Sequence, residues 1–468
     1  MVTMSRFAHV YELENVVALY HSLRMKPVYL TLELYKNLQA WLASSYCNHY
    51  DEAPETIRNE VIELQKYKIL IQTPGEDERV LQYVKSKIPS PAINVCYIIL
   101  SEQCNFACKY CFLGNNDTDK RSSFLSENMS ADTADKALDF FVRQIKASGL
   151  DTDQNKPILI FYGGEPLVNF PILERIALRI NELRQKEKCI ENLEMSVITN
   201  GILLNETMLK RLNELRVSIA ISVDGFTEEA NSMRVDTRGR PVFSRILATL
   251  DKCKELGVDV SLSVTLSEET IKDTQNILNL IDAYDVKAFG FNIMMSDENF
   301  VLPQSYNEAA AQFIIDEFIE LRERGVYEDR MMRKLKAFSK AQVYFSDCAA
   351  TSGGQIVISP DGSVGICHGC LSDKKYFISN IDDDTFNATE DKYFIEWSQL
   401  TPLNHEECLP CPALGICGGG CPVNAMHLKP GNTIHSIDER FCIHSKKTLE
   451  FFILDLYRII TESVKANV

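Results

Sequence analysis

From residue 95 to residue 324, short β-type runs alternate with amphipathic helical segments, and this alternation constrains the fold more than any other feature. The strand-like runs are 95–100, 158–162, 194–199, 217–222, 258–265 and 288–294. The helical segments that alternate with them are 131–147, 171–185, 208–215, 243–256, 270–284 and 307–324. Strands separated by helices run parallel with crossover connections, so the pattern predicts an α/β sheet curled into a barrel or part of one. Six units are too few for a closed eight-fold barrel, and ligand sites in such a fold gather on the loops that follow the strands. Those loops carry the chemistry.

The first strand runs into Cys104-Asn105-Phe106-Ala107-Cys108-Lys109-Tyr110-Cys111. Three thiolates at CxxxCxxC spacing can hold three irons of a [4Fe–4S] cluster and leave the fourth open, whereas electron-transfer clusters use four cysteines. A zinc site without a nearby fourth ligand and a chance grouping are the competing readings. After the second strand comes Gly163-Gly164-Glu165-Pro166. Its glycines let the backbone approach a ligand, and Glu165 can accept from an ammonium. Thr199-Asn200-Gly201 has the form of a turn. Ser222 and Asp224 put a hydroxyl and a carboxylate at the fourth strand's tip, with Arg234 farther on. Beyond residue 345 lie Cys348, Cys367, Cys408, Cys411, Cys417, Cys421 and Cys442. A zinc ribbon could use Cys408, Cys411 and another pair, but it leaves the remaining cysteines unexplained.

With Tyr110 ahead of its last cysteine, the first loop resembles the cluster loop of radical S-adenosylmethionine enzymes. The motifs at 163–166, 199–201, 222 and 234 follow in that family's order. The resemblance covers residues 91–445 and implies a partial (β/α)6 TIM-like barrel. It further implies that Cys104, Cys108 and Cys111 hold a [4Fe–4S] cluster whose open iron binds S-adenosylmethionine. Tyr110 would lie near the adenine, and Gly163, Gly164, Glu165 and Pro166 would bind the methionine amino group. Ser222 would meet the cofactor's polar groups, Arg234 its carboxylate, and Asn292 and Met294 would border it. The cysteine-rich end resembles the SPASM extension of peptide- and protein-modifying radical enzymes. Its topology implies a first auxiliary cluster on Cys348, Cys367 and Cys421 and a second on Cys408, Cys411, Cys417 and Cys442, three [4Fe–4S] clusters in all. Fully ligated relatives use a further cysteine just upstream of the first SPASM cysteine, and here none lies between Met294 and Asp347. Either Cys370 or another group completes the first auxiliary cluster, or an iron stays open for a substrate thiolate, an arrangement that suits carbon–sulfur bond formation.

Residues 1–90 read as a separate module: a strand meander over 7–13, 16–23 and 27–31, then helices over 32–43 and 56–66. A short apolar run at 69–72, a turn at 74–78 and a linking helix over 80–88 complete it. The order resembles the small winged-helix-like leader-recognition domain (RRE-like) of peptide-modifying enzymes, with the 27–31 edge open to an added strand; a structural cap is the alternative. The expected organisation is therefore 1–90 leader recognition, 91–325 barrel, 326–445 SPASM domain and 446–468 terminal helix.

A net charge of −16 argues against nucleic acid as the main partner. No apolar run reaches a membrane span and no signal peptide opens the chain, so a cytoplasmic protein is expected. Fifteen cysteines then read as ligands rather than disulfides. Cys47, Cys96, Cys189 and Cys253 are read as packing residues, and His368 as supporting the cluster beside it or lying at the surface. The implied activity is maturation of a ribosomally made precursor peptide with a leader segment, forming thioether links from cysteine sulfur to carbon, with flavodoxin or ferredoxin as reductant. Formylglycine formation of the anaerobic sulfatase-maturating type, carbon–carbon cross-linking or epimerisation, and a non-catalytic iron–sulfur carrier are the alternatives. No residue is assigned as general base.

Overall fold

The computed structural model describes residues 1–113, 127–296 and 302–466. Strand β1 (Thr3–Met4) precedes a meander in which β2 (Ala8–Glu12), β3 (Val16–His21) and β4 (Val28–Thr31) pair antiparallel in that order. Helix α1 (Leu32–Leu42) starts where the Thr31 hydroxyl accepts from the Leu34 amide at 3.2 Å. Helix α2 (Arg58–Lys66) follows, and β5 (Leu70–Ile71) returns to pair with β1. The expected turn at 74–78 is instead the start of helix α3 (Pro74–Lys85). Pro74 occupies the first helical position, where a missing N–H costs nothing, and Glu76 reaches back to accept from the Gln72 amide at 2.9 Å. The meander is thus followed by three helices.

The barrel strands are β6 (Val95–Ser101), β7 (Ile158–Gly163), β8 (Glu194–Thr199), β9 (Val217–Ser222), β10 (Val260–Leu266) and β11 (Ala288–Ile293). Helices α4 (Ala131–Ser148), α5 (Phe170–Leu183), α6 (Glu206–Glu214), α7 (Phe243–Leu256), α8 (Gln275–Tyr284) and α9 (Gln304–Glu323) alternate with them. All six strands pair parallel with their sequence neighbours. The short strand β12 (Tyr327–Glu328), before helix α10 (Asp329–Lys340), adds beyond β11. The expected hairpin forms as β13 (Gln355–Ile358) and β14 (Ser363–Gly365), turning through Gly362 at φ +82°. With β15 (Phe377–Asn380) it continues the same sheet, because β13 pairs parallel with β6. That pairing carries Cys367 to the barrel.

Helix α11 (Glu439–Ala466) begins early enough to include Cys442 and packs along α9. Arg322 forks onto Asp455 at 2.6 and 2.8 Å, and the Tyr29 hydroxyl donates to the Ile453 carbonyl at 2.7 Å. Residues 467 and 468, at the end of the expected terminal helix, lie outside the described residues. Among the described residues, no helix is long and apolar enough to cross a membrane.

Glu317 on α9 is fully buried, and neither carboxylate oxygen has a hydrogen-bond partner among the described residues. Burial, reinforced by Glu320 and Asp316, pushes its carboxyl up to about 8. The unfolded chain sheds this proton near the ordinary carboxyl value while the folded chain keeps it, so stability is lost as pH rises from about 4.5 to about 8. Glu317→Gln should remove that slope and gain on the order of 3 kcal/mol at pH 8. Denaturant titrations at pH 6 and pH 8 would show equal losses in both proteins if Glu317 were not the cause.

Candidate active site

The 104–111 loop is built from main-chain bonds to two other loops. The Ala107 amide donates to the Val235 carbonyl at 2.7 Å and the Lys109 amide to that of Met233 at 2.9 Å. On its other side, the Gly164 amide donates to the Ser101 carbonyl at 2.9 Å and the Glu165 amide to that of Gln103 at 2.8 Å. This approach admits no side chain: a Cβ on Gly163 would overlap the Ser101 carbonyl oxygen, and one on Gly164 would overlap that of Gln103 and sit 2.7 Å from that of Glu102. Gly163 also holds φ +143°. Cys108 and Cys111 are close enough to Cys104 to disfavour its ionisation, and Cys111 does the same to Cys108. Burial pushes the Cys104 thiol far up and the Cys108 thiol up to about 11, with Arg234 opposing at Cys108. A cation bound among such thiols would favour the thiolate forms and release their protons.

Glu165 is almost wholly buried beneath this loop. It accepts from the Thr199 hydroxyl at 2.6 Å, the Asn200 amide at 2.9 Å and the Leu167 amide at 3.0 Å. Burial outweighs those donors and lifts the carboxyl to about 6. Asn200 also donates to the Asn105 side chain at 2.7 Å, so the expected turn at 199–201 joins the first and third loops. Pro166 opens the short helix that follows Glu165.

Arg234 is held by Asp224. Its Nε and Nη2 donate to the two carboxylate oxygens at 2.9 Å each, and both side chains are buried. The Tyr110 hydroxyl donates to the same carboxylate at 2.6 Å and the Thr265 amide at 3.0 Å, with the guanidinium 5.5 Å from the Tyr110 ring centre. Ser222 stands in register with Ser263, to which the exposed Asn292 donates at 3.0 Å. Met294 is instead turned into the core, and its carbonyl accepts from Arg440 at 2.6 Å.

The remaining cysteines fall into two neighbourhoods. Burial, reinforced by Cys370, Cys421 and Cys348, pushes the Cys367 thiol far up; burial lifts Cys421 to about 11, with Cys348 adding to it, and fully buried Cys370 to about 12. Cys408, Cys411, Cys417 and Cys442 form the other set, where burial pushes Cys408 and Cys442 up to about 12. Among the described residues, no three His, Cys, Asp or Glu side chains close on the position of a single metal ion. Gly418, Gly419 and Gly420 join the sets at φ +75°, +89° and +80°, and the Gly418 carbonyl accepts from the amide of Asp347, beside Cys348, at 2.9 Å.

Some of these partners carry no sequence signal. Lys334 on α10 is fully buried and donates to the Cys417 carbonyl at 2.9 Å, that of Ile416 at 3.1 Å and Ser445 Oγ at 3.1 Å. His368 stacks on Tyr97 at 4.4 Å and meets Tyr162 edge-on at 5.1 Å. Tyr162 feels both Cys111 and Cys367, so this aromatic wall stands between the first and second cysteine groups. Cys47, Cys96 and Cys253 are buried as expected, and Cys189 is half-buried.

The family profile described as the Radical SAM superfamily matches residues 98–281. The chain is 24% identical over 92% of its length to the radical SAM cyclopropyl synthase TigE of Paramaledivibacter caminithermalis, covering 90% of that protein. It is 26% identical over 71% of its length to a cysteine-type anaerobic sulfatase-maturating enzyme of Clostridium perfringens, covering 89% of it. Among solved structures, native anSMEcpe with bound AdoMet superposes with a TM-score of 0.62 at 23% identity, over 80% of this chain and all of that one. Streptococcus suis SuiB bound to precursor peptide SuiA superposes with a TM-score of 0.54 at 14% identity, over 94% of this chain and all of that one.

Proposed function

We propose that the protein is a radical SAM maturase of ribosomally made peptides that forms thioether cross-links from cysteine sulfur to carbon, a reading supported by the Radical SAM superfamily match over residues 98–281. The observation that carries this reading is the convergence of Cys104, Cys108 and Cys111 with Glu165 and the Asp224–Arg234 pair beyond the ends of β6, β7 and β9. When bound, a [4Fe–4S] cluster and S-adenosylmethionine supply one-electron, hydrogen-atom-abstracting chemistry. The chain supplies the rest. Cys104, Cys108 and Cys111 hold the cluster, and the Gly163-Gly164 backbone lets the cofactor lie close. Glu165 accepts the cofactor's ammonium. Arg234, with Nε and Nη2 committed to Asp224, offers Nη1 to the carboxylate. Tyr110 borders the adenine, and Ser222 and Asn292 line the polar side. The sets Cys348/Cys367/Cys421 and Cys408/Cys411/Cys417/Cys442 would hold two auxiliary clusters, and the three cysteines of the first would leave room for a substrate thiolate. Flavodoxin or ferredoxin is the reductant.

Residues 1–90 serve as the leader-recognition module, with β4 as the edge that takes the leader strand. The likeness to TigE and SuiB spans 92% and 94% of this chain, against 71% and 80% for the sulfatase-maturase relatives, which favours a precursor peptide over a sulfatase. Carbon–carbon bond formation is the second reading, favoured by the full-length similarity to a cyclopropyl synthase.

Anaerobic co-expression with a short cysteine-containing reading frame beside the gene, followed by tandem mass spectrometry and thiol alkylation, separates the two. A loss of two hydrogens per link with blocked cysteines supports thioethers. The same loss with free thiols means carbon–carbon bonding, and an aldehyde at a former cysteine means formylglycine. Glu165 gives a further expected result. Affinity for S-adenosylmethionine should fall as pH drops below about 6, where this carboxyl takes up its proton. Glu165→Gln should bind it about 10–100-fold more weakly, without that pH dependence. Equilibrium dialysis across pH 5–8 would contradict the assignment if the two proteins bound alike.

A further inference from the structure

Strand β3 is buried along its whole length. Val17 and Leu19 face the module's own core, while Ala18 and Tyr20 join the core shared with Ala413, Ile416, Phe452 and Ile453. Tyr20 stands opposite His9 across the β2–β3 ladder, and Ser22 follows at the strand's end. Tyr20 and Ser22 are both fully buried, and neither hydroxyl has a partner among the described residues; His9 Nε2 is likewise unpartnered. A buried hydroxyl left unpaired costs about 1–3 kcal/mol. Two at the end of one strand point to an acceptor that the polypeptide does not supply.

What lies across from them is the Cys408/Cys411/Cys417/Cys442 set. Cys411 and Tyr11 both pack against the core that holds Tyr20, Ala413 and Ile416. Ser22 abuts Gly415, between Cys411 and Cys417: a Cβ there would overlap the Ser22 carbonyl oxygen and lie 2.6 Å from Met25 Sδ. Leu23 and Phe7 pack with Leu414 and Cys408. The meander therefore forms the wall of this site.

We propose that the Tyr20 and Ser22 hydroxyls donate hydrogen bonds to the cluster held by Cys408, Cys411, Cys417 and Cys442, so that the N-terminal module tunes that cluster's reduction potential. This rests on the reading that these four cysteines hold a cluster. An O–H dipole aimed at cluster sulfur stabilises the extra negative charge of the reduced state, and such bonds are among the protein's levers on potential. Removing one lowers the potential.

The test uses the anaerobically reconstituted full-length protein, titrated redox-potentiometrically and read by electron paramagnetic resonance. The relevant signal is the one lost, together with iron, in Cys411→Ala. Tyr20→Phe keeps the ring that stacks on Phe338 at 6.2 Å. With iron content unchanged, it should shift that signal's one-electron equilibrium about tenfold toward the oxidised state, about 59 mV, leaving the other signals in place. Ser22→Ala should shift it the same way. In cluster-free protein, Tyr20→Phe should not lower Tm, because no partner is lost there; in loaded protein it should. An unchanged potential in the doubly substituted protein with full iron would overturn the proposal alone. Retention of all iron and every signal in a Cys408→Ala, Cys411→Ala variant would overturn the cluster assignment, and the proposal with it.

Discussion

Replacing Asp224 by alanine should destabilise the protein by about 3–5 kcal/mol, because removing one partner of a buried pair strands the other's charge. Asp224 is fully buried and Arg234 nearly so, and their fork uses both carboxylate oxygens. The same substitution leaves the Tyr110 hydroxyl and the Thr265 amide without their acceptor. Tyr110 belongs to the cysteine loop, so the loop should loosen along with the loss of stability. Asp224→Asn, which retains an acceptor but not the charge, should fall between wild type and alanine. Denaturant unfolding of the three cluster-free proteins measures this, and an alanine variant within 1 kcal/mol of wild type would mean that the pair is solvated.

Gly164→Ala should leave the fold standing but cost on the order of 100-fold in turnover, the penalty expected when reacting groups are misplaced by about 1 Å. The added methyl group meets backbone oxygens of Gln103 and Glu102, which have no rotamer with which to escape. The loops must part, breaking the bonds from the Gly164 and Glu165 amides that set the height of Glu165 relative to the cysteines. Gly75→Ala, in α3, where a Cβ meets nothing within 4 Å and φ is not positive, is the control for an unrelated glycine. Single-turnover rates for both variants test this; equal rates for Gly164→Ala and wild type would mean that the loop contact does not position the site.

The barrel was legible because apolar runs bounded by polar loops mark buried parallel strands. Glu194–Thr199 and Val217–Ser222 begin and end where the apolar pattern does. The union of β13 with β6 was not legible, since strand partners far apart in sequence share no local pattern. In the site, cysteine spacing and the Gly-Gly-Glu run announced themselves. Met233 and Val235 did not, because they act through main-chain carbonyls, and a backbone acceptor places no demand on the side chain. Lys334 sits on an amphipathic helix, where a lysine reads as solvated, and only the packed structure reveals it as a buried donor to Ile416 and Cys417. The helix Pro74–Lys85 did carry its signal in Thr73, Pro74 and Glu76, but Pro-Gly followed by acidic residues also spells a turn.

The most direct test of the central claim is the production of 5′-deoxyadenosine and methionine from S-adenosylmethionine by the anaerobically reconstituted, dithionite-reduced protein. The account predicts cleavage by the wild-type chain. It predicts none by a variant with Cys104, Cys108 and Cys111 replaced by alanine, which should lose about four irons and keep the rest. A wild-type chain that carries its full iron and leaves S-adenosylmethionine intact, or a triple variant that still cleaves it, would contradict the account.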